Sequence, residues 1–250
     1  MKRIGFLGCG KIGTALLETA YQIENVSVAF VQDLIYPEGK NDFPVIRHAD
    51  EKLYAQCDLI IESTTADVLK ENIDLILMHS NLMTFSLTAF SDQEFEDQVK
   101  RLSGKYKRQI YIPHGAILGI DGIYDGNRVW DSVSIETIKN PKSLGCENTE
   151  RTVLFEGKTR DACKLYPRNV NVHAAVALAG IGFDRTVSRI IADPDVNTNS
   201  HVIMLEGGGV SMKLNVSSFA AGGVTGRYTP YSACGSFRRI LDCAEGTKFV

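Results

Sequence analysis

The sequence predicts an α/β fold in two parts: a parallel sheet flanked by helices, then a smaller α+β domain on a mostly antiparallel sheet. Three observations predict it. Short apolar runs and helical patterns alternate through the first half of the 250 residues. After about Gly126 the pattern changes to strands of period two that follow one another with short turns. A last helical segment, "YSACGSFRRILDCAE", then closes the chain. Repeated β-α-β units form a parallel sheet covered on both faces, whereas strands joined by short turns form antiparallel or mixed sheets.

The elements read in order as follows. "RIGFLG" is a short apolar run ending in glycine, as expected of a buried parallel strand. "IGTALLETAYQI" has helical spacing, with Ile12, Leu16, Ala20 and Ile23 on one face. "VSVAFVQD" and "DLIIEST" are further strands, the latter ending in small hydroxyl residues. "ADVLKENIDLILMHS" is a helix with Val68, Ile73, Leu75 and Leu77 on its apolar side. "LMTFSLTAF" and "QIYIPHG" are strands around the helix "DQEFEDQVKRLS". The second part carries the strands "VWDSVSIETIK", "RTVSRIIAD", "HVIMLEG" and "SMKLNVSSF", with Gly207–Gly209 as a hairpin connection. Helices "TRDACKLYP" and "NVHAAVALAGIG" lie between the first two of these strands. The expected division is residues 1–126, with the helix at about 230–245 packing back on them, and residues 127–229.

Composition narrows the function classes. The chain is 44% hydrophobic and 23% charged, with a net charge of −3, which is ordinary for a globular protein. No Lys/Arg run or basic stripe is present, so nucleic acid is not an expected partner. No apolar stretch is long enough to span a membrane, and the first residues, "MKRIGFLGCG", do not read as a signal peptide. The six cysteines form no C-x-x-C pair and have no His at ligand spacing, so reduced thiols, a cytoplasmic location and no metal site are expected.

"GCGKIG" places Gly8, Gly10 and Gly13 in the G-x-G-x-x-G spacing, between a strand and a helix. In that context Gly8 permits the tight turn, Gly10 lets a pyrophosphate approach, and Gly13 lets helix and strand pack closely. The N–H groups of Lys11, Ile12 and Gly13 at the helix start then face the phosphates. Asp33 ends the second strand, where a carboxylate accepts hydrogen bonds from the adenosine ribose. This reads as a Rossmann-type dinucleotide-binding domain. Asp33 favours NAD, with NADP as the alternative because Lys40 is near in sequence. Ser63 and Thr64, after the third strand, are expected to line the cofactor, although "STTAD" also suits a helix N-cap.

Three stretches carry a family resemblance. "IPHGAILGIDGI" (112–123) resembles the P-S-G-A-I-x-G-L-D segment of L-aspartate dehydrogenases. "YPRNVNVHAAVALAGIGFDRTVSRIIADP" (166–194) is similar to their F-P-x-N-V-N-V-A-A-x-L-A-L-A-G stretch and the A-D-P that follows. "NSHVIMLEG" (199–207) resembles their N-x-H-x-I…G. The resemblance implies NAD(P)-dependent oxidation of L-aspartate to iminoaspartate. That product goes to oxaloacetate and ammonia, or into quinolinate and NAD biosynthesis. It implies His201 as the active-site histidine and Ala116 and Asn171 as cofactor contacts. The sequence departs from the family pattern at His114, where the family has Ser, and in "TIKNPKS", which lacks one proline. It also has no clear match to the family's N-P-K-T-S. A related amino-acid dehydrogenase, an imine reductase with a different substrate and a catalytically silent dinucleotide-binding sensor are the competing readings.

Removal of hydride from an amino acid needs a group that exchanges protons near neutral pH, and His is the usual choice. His201 ends the polar loop "ADPDVNTNSH" and is expected at the start of a strand, titrating near the ordinary His value. His114, His173 and Asn199 are candidate substrate contacts, and Asn171 has a helix N-cap as its other reading. A dicarboxylate needs a cation, and Lys139, Arg185, Lys213 and Arg227 are the candidates. The substrate is a small molecule, and a homodimer is the expected assembly. The glycine loop generates a test. Gly10→Val should abolish NAD binding in an NADH fluorescence titration while leaving the circular dichroism unchanged. A variant that binds NAD normally would place the phosphates elsewhere.

Overall fold

The computed structural model describes residues 1–39, 41–219 and 226–241, which form two compact units. Residues 1–113 and the described C-terminal segment from Pro230 make the first, and residues 114–219 and 226–229 the second. Lys40 and the last part of the expected terminal helix, 242–245, lie outside the described residues.

The first unit is a parallel sheet of β1 (Lys2–Leu7), β2 (Val26–Gln32), β3 (Val45–Ile46), β4 (Leu59–Glu62), β5 (Asn81–Thr84) and β6 (Ile110–Tyr111). Its order is β3-β2-β1-β4-β5-β6. Helices α1 (Lys11–Ala20), α2 (Glu51–Tyr54), α3 (Ala66–His79) and α4 (Gln93–Tyr106) make the crossovers. Every residue of β4 is buried, and Leu59, Ile60 and Ile61 accordingly form an apolar run before the buried Glu62. Asp50, Thr65 and Asp92 cap α2, α3 and α4 through their side-chain oxygens. The buried stripe of α3 is Leu69, Ile73, Ile76 and Leu77, while Val68 and Leu75 are only half-buried. The strand order reverses direction at β1 and β4, and the glycine loop follows β1 there, the usual ligand position in such sheets.

Glu62, at the end of β4, has no exposed surface. Its Oε1 accepts hydrogen bonds from Thr64 N (2.6 Å), Thr64 Oγ1 (2.7 Å) and Ser86 Oγ (2.7 Å). Its Oε2 accepts from Thr84 Oγ1 (2.6 Å) and Ser86 N (3.2 Å). This carboxylate ties the ends of β4 and β5 together. It also explains why "LMTFSLTAF" stops being a strand at Thr84: Ser86 turns onto Glu62, and Leu87–Ser91 coil into a 3-10 turn.

The second unit begins with α5 (Ile120–Asp125) and β7 (Trp130–Lys139), then α6 (Pro141–Leu144), β8 (Thr152–Lys158), α7 (Thr159–Leu165) and α8 (Asn171–Ala179). It ends with β9 (Val187–Ala192), β10 (Thr198–Gly207) and β11 (Val210–Phe219). The sheet order is β11-β10-β7-β9-β8, antiparallel except for the β7–β9 pair. Helices α7 and α8 pack on its inner face. Gly207, Gly208 and Gly209 have φ of +150°, +58° and +80°, so the β10–β11 turn needs glycine.

Three features differ from the expectation. Strand β8 is new: Glu156 and Gly157 break its alternation, and it pairs only with β9 at the sheet edge. The chain divides at Pro113 rather than Gly126. The reason is α5, which packs on α8 while the Trp130 indole N–H donates to the Ile123 carbonyl at 2.8 Å. His201 is the fourth residue of β10, inside the strand rather than at its start.

A final helix, α9 (Thr229–Leu241), returns to the first unit. Its Ala233, Phe237 and Leu241 join Ile4, Phe6, Leu16 and Val31 in one core cluster.

Replacing Glu62 strands three buried donors, Thr84 Oγ1, Ser86 N and Ser86 Oγ, each costing about 1–3 kcal/mol if water cannot reach it, and two part-buried ones on Thr64. Glu62→Ala should therefore lower the unfolding free energy by at least about 3 kcal/mol in urea titration. A loss under about 1 kcal/mol would mean that water replaces the carboxylate.

Candidate functional site

The first unit builds a cradle for an anion. Gly8 has φ +87°, and a Cβ there would collide with the Thr64 methyl carbon. A Cβ on Gly13 would collide with the Gly8 carbonyl oxygen. Gly8 and Gly13 are thus required by the fold itself. Gly10 is different: it is the N-cap of α1, makes no side-chain cap, and has nothing within 4 Å of the point a Cβ would occupy. The open space lies over the N–H groups of Lys11, Ile12 and Gly13, which have no acceptor within the first turn of a helix. Ser63 Oγ donates to the Gly8 carbonyl at 3.0 Å and fixes the loop from the β4 side.

A cleft of about 660 Å³ continues from this loop and is lined by Gly8, Asp33, Arg47, Thr64 and Asn72, among others. Asp33 Oδ2 accepts from Cys9 N at 2.8 Å, and its Oδ1 accepts from Ile35 N (2.8 Å) and Tyr36 N (2.9 Å). Burial alone would raise the Asp33 pKa, but these backbone donors and Arg47 outweigh it and hold it below the usual carboxylate value. Arg47 donates to the carbonyls of Asp33 and Tyr36 and pairs with Glu38 at 2.9 Å, so its charge is already engaged. The residues present fit a dinucleotide: a bare helix start for phosphates, then an anionic carboxylate for a ribose.

In the second unit the inner sheet face is polar where a core is usually apolar. His201 on β10 sits opposite Thr137 on β7, and Lys139 lies two residues further along β7 on the same face. His201, Thr137 and Lys139 are 3%, 1% and 3% exposed. Thr137 Oγ1 is 2.8 Å from His201 Nδ1 and 2.6 Å from His173 Nε2. His173 Nδ1 is 2.9 Å from Ser188 Oγ on β9. Burial first, then the nearby Lys139 charge, pushes the His201 pKa down to about 3. Burial likewise lowers Lys139 to about 8. Lys139 makes no ion pair or side-chain hydrogen bond among the described residues.

The sequence candidates fall out as follows. Gly8, Gly10, Lys11, Ile12, Gly13, Asp33, Ser63 and Thr64 come together in the first unit. His201, His173 and Asn199 share the inner face region of the second, with Asn199 buried two residues before His201. His173, a candidate substrate contact by sequence, is sealed: it has no exposed surface, and both ring nitrogens are bonded within the protein. His201 is buried with a depressed pKa rather than titrating near the ordinary value, because β10 carries it inward. Ala116 and His114 lie on the turn before α5, where His114 Nε2 is 3.8 Å from Asp121 Oδ2. Asn171 is the first residue of α8, whose N-cap is Val170. Of the cations, Lys139 is buried, whereas Arg185, Lys213 and Arg227 are exposed. Sequence reasoning does not single out Thr137, Ser188 or Thr159. The signal for Thr137 and Ser188 is a hydroxyl two residues from an isoleucine on the same strand face, Ile135 for Thr137 and Ile190 for Ser188. Among the described residues no group of three or more His, Cys, Asp or Glu is placed to hold a metal ion, and no helix is long and apolar enough to cross a membrane.

Comparison with known proteins gives a consistent result. The family model "Aspartate dehydrogenase, C-terminal" matches residues 125–240. The L-aspartate dehydrogenase of Nitrosopumilus maritimus is 32% identical over 231 residues, covering 83% of this chain and 84% of the relative. The crystal structure of aspartate dehydrogenase from Thermotoga maritima superposes with a TM-score of 0.82 at 25% identity, covering 100% of this chain and 99% of that one. Dihydrodipicolinate reductase from Paenisporosarcina sp. TG-14 shares the fold, at a TM-score of 0.51 and 14% identity over 95% of this chain and 92% of that one.

Proposed function

The chain belongs to the L-aspartate dehydrogenase family, and on that premise we propose that it oxidises L-aspartate at C2, with His201 as the base and Lys139 as the carboxylate-binding cation. The observation that carries this reading is the pairing, on one buried sheet face, of a neutral imidazole with an ammonium that has no counter-ion among the described residues. A buried charge is tolerated poorly unless it is paired, and an anionic substrate supplies the missing partner. When bound, a nicotinamide dinucleotide supplies the hydride acceptor.

The residues then act in sequence. Lys139 takes a substrate carboxylate. That neutralises the Lys139 charge, which after burial is the second cause depressing His201, so the base gains strength as the substrate is seated. His201 accepts a proton from the substrate amine as hydride leaves C2, and iminoaspartate remains. His201 next releases that proton to solvent, takes one from the water that attacks the imine carbon, and passes it to the carbinolamine nitrogen, so that ammonia leaves and oxaloacetate remains. The N–H groups of Lys11, Ile12 and Gly13 hold the phosphates, and Ser63 and Thr64 flank them. Ala116 and Asn171 are proposed as further cofactor contacts, and His114 and Asn199 as substrate contacts. Asp33 takes the adenosine ribose. Its negative charge repels a 2′-phosphate, and Arg47 is engaged with Glu38 and two carbonyls, which supports NAD over NADP.

His201→Ala should reduce kcat for L-aspartate by about 10²–10⁴-fold with NAD affinity unchanged, read from NADH formation and fluorescence titration. Full turnover in that variant would reject His201 as the base. The Lys139 pKa is lowered to about 8, so the cation is present below that pH and lost as pH rises through it. Competition by a non-reacting dicarboxylate such as succinate should accordingly be flat below pH 8 and weaken above it. In Lys139→Met both the binding and its pH dependence should be lost.

The cofactor preference has its own test. NAD should bind more tightly than NADP, and Asp33→Ala should narrow the ratio by at least about tenfold, the equivalent of about 1.4 kcal/mol. Equal affinities in the unchanged protein would show that Asp33 does not set the preference.

A further inference from the structure

Behind His201 runs a continuous file of hydrogen bonds. His201 Nδ1 meets Thr137 Oγ1 at 2.8 Å, and Thr137 Oγ1 meets His173 Nε2 at 2.6 Å. His173 Nδ1 meets Ser188 Oγ at 2.9 Å, and Ser188 Oγ meets Thr159 Oγ1 at 2.7 Å. Thr159 Oγ1 donates to the Thr186 carbonyl at 3.0 Å. The four intermediate residues are 0% or 1% exposed, so water does not share these contacts.

Each member has one proton to place. A hydroxyl carries one hydrogen, a neutral imidazole carries one N–H, and a carbonyl carries none. The direction of every bond therefore follows from the closed end. Thr159 gives its proton to the Thr186 carbonyl, so it can only accept from Ser188. Ser188, having donated, accepts from His173 Nδ1–H. His173 Nε2 is then a lone pair and accepts from Thr137. Thr137, its proton used, accepts from His201 Nδ1–H. The reverse polarity keeps the internal contacts but loses the Thr159-to-carbonyl bond, and it leaves the Thr159 hydroxyl oxygen accepting nothing. In a sealed interior the arrangement with the additional bond prevails. Burial, followed by the neighbouring His201 and Lys139 charges, keeps His173 neutral, as the counting requires.

We infer that Thr137, His173, Ser188 and Thr159 are positioning residues that lock His201 in the tautomer with its proton on Nδ1 and its lone pair on Nε2. The Nε2 atom has no hydrogen-bond partner among the described residues. The inference rests on the reading of His201 as the base for its functional meaning, though not for its geometry. The file is an orienting device and not a proton conduit. It ends on a carbonyl, which neither holds a proton nor passes one on. A proton taken at Nε2 therefore leaves by Nε2.

The test is nitrogen NMR of ¹⁵N-histidine-labelled protein at neutral pH, where protonated and unprotonated ring nitrogens resonate far apart. His201 should show a protonated Nδ1 and an unprotonated Nε2. Thr159→Val keeps the side-chain shape but removes the anchoring hydroxyl, three side chains away from His201, and should shift His201 into a mixture of tautomers. Thr137→Val should lower kcat for L-aspartate by about tenfold or more, as a wrongly held tautomer does, with little change in KM. Thr137→Ser should restore kcat, because it returns the hydroxyl. A protonated Nε2 in the unchanged protein, or an unaltered tautomer in Thr159→Val with unchanged circular dichroism, would overturn the inference. The NMR signal needs no turnover, so the two readings fail separately. A locked Nδ1–H tautomer with full activity in His201→Ala rejects the base and keeps the tautomer lock. An inactive His201→Ala with the proton on Nε2 rejects the lock and keeps the base.

Discussion

The inner face of the second sheet puts hydroxyls and imidazoles where hydrocarbon would otherwise fill the space. Burying an unpaired polar group costs more, about 1–3 kcal/mol, than the roughly 1 kcal/mol that a made hydrogen bond returns. Thr137, His173, Ser188 and Thr159 can occupy that interior only as a complete set, each donor matched to one acceptor. This constraint reaches well beyond the site. It fixes the β7–β10 register, because His201 must lie opposite Thr137. It places α8 over the sheet, because His173 bridges β7 and β9. It brings the start of α7 against the residues that lead into β9, where the Thr159 backbone N–H and hydroxyl both reach the Thr186 carbonyl. One polar file thus holds together three strands and two helices.

The first unit solves the same problem with the opposite geometry. Glu62 gathers five donors around one buried carboxylate instead of stringing them in a line. A converging arrangement makes a rigid corner, which is what the ends of β4 and β5 need beside the glycine loop. Thr64, held by Glu62, in turn lies against the glycine turn, where its methyl excludes any side chain at Gly8. The shape of the cradle under Gly10 depends on that chain of contacts.

Much of this was legible in the sequence. The glycine spacing, the buried run "LIIE" and the strand periods gave the parallel sheet and the mixed second sheet, and the three quoted stretches gave the family. What escaped had physical causes. Strand β8 is an edge strand with glycine and glutamate in it, so its pattern does not alternate cleanly. The segment before Gly126 reads as part of the first half, yet Trp130 and α8 pull it into the second unit through tertiary contacts that leave no periodic trace. The burial of His201 leaves no trace in its neighbours, because a polar loop precedes it while the strand that starts at Thr198 turns it inward. Thr137, Ser188 and Thr159 are ordinary strand or helix-start residues until their partners are known. Glu62 hid in the same way, as a carboxylate at the end of a strand.

The return of α9 to the first unit has a consequence for how the chain is made. Phe237 and Leu241 share a core with Ile4 and Phe6, contacts that span almost the entire chain. During synthesis from the N-terminus, the sheet that β1 begins stays uncovered on that side until the ribosome has delivered everything in between. The second unit, whose described residues all lie within 114–229, emerges before the first can close. Closing a loop of this length is slow, and apolar surface is exposed meanwhile. The unfinished first unit is therefore the natural client of any chaperone that meets the nascent chain.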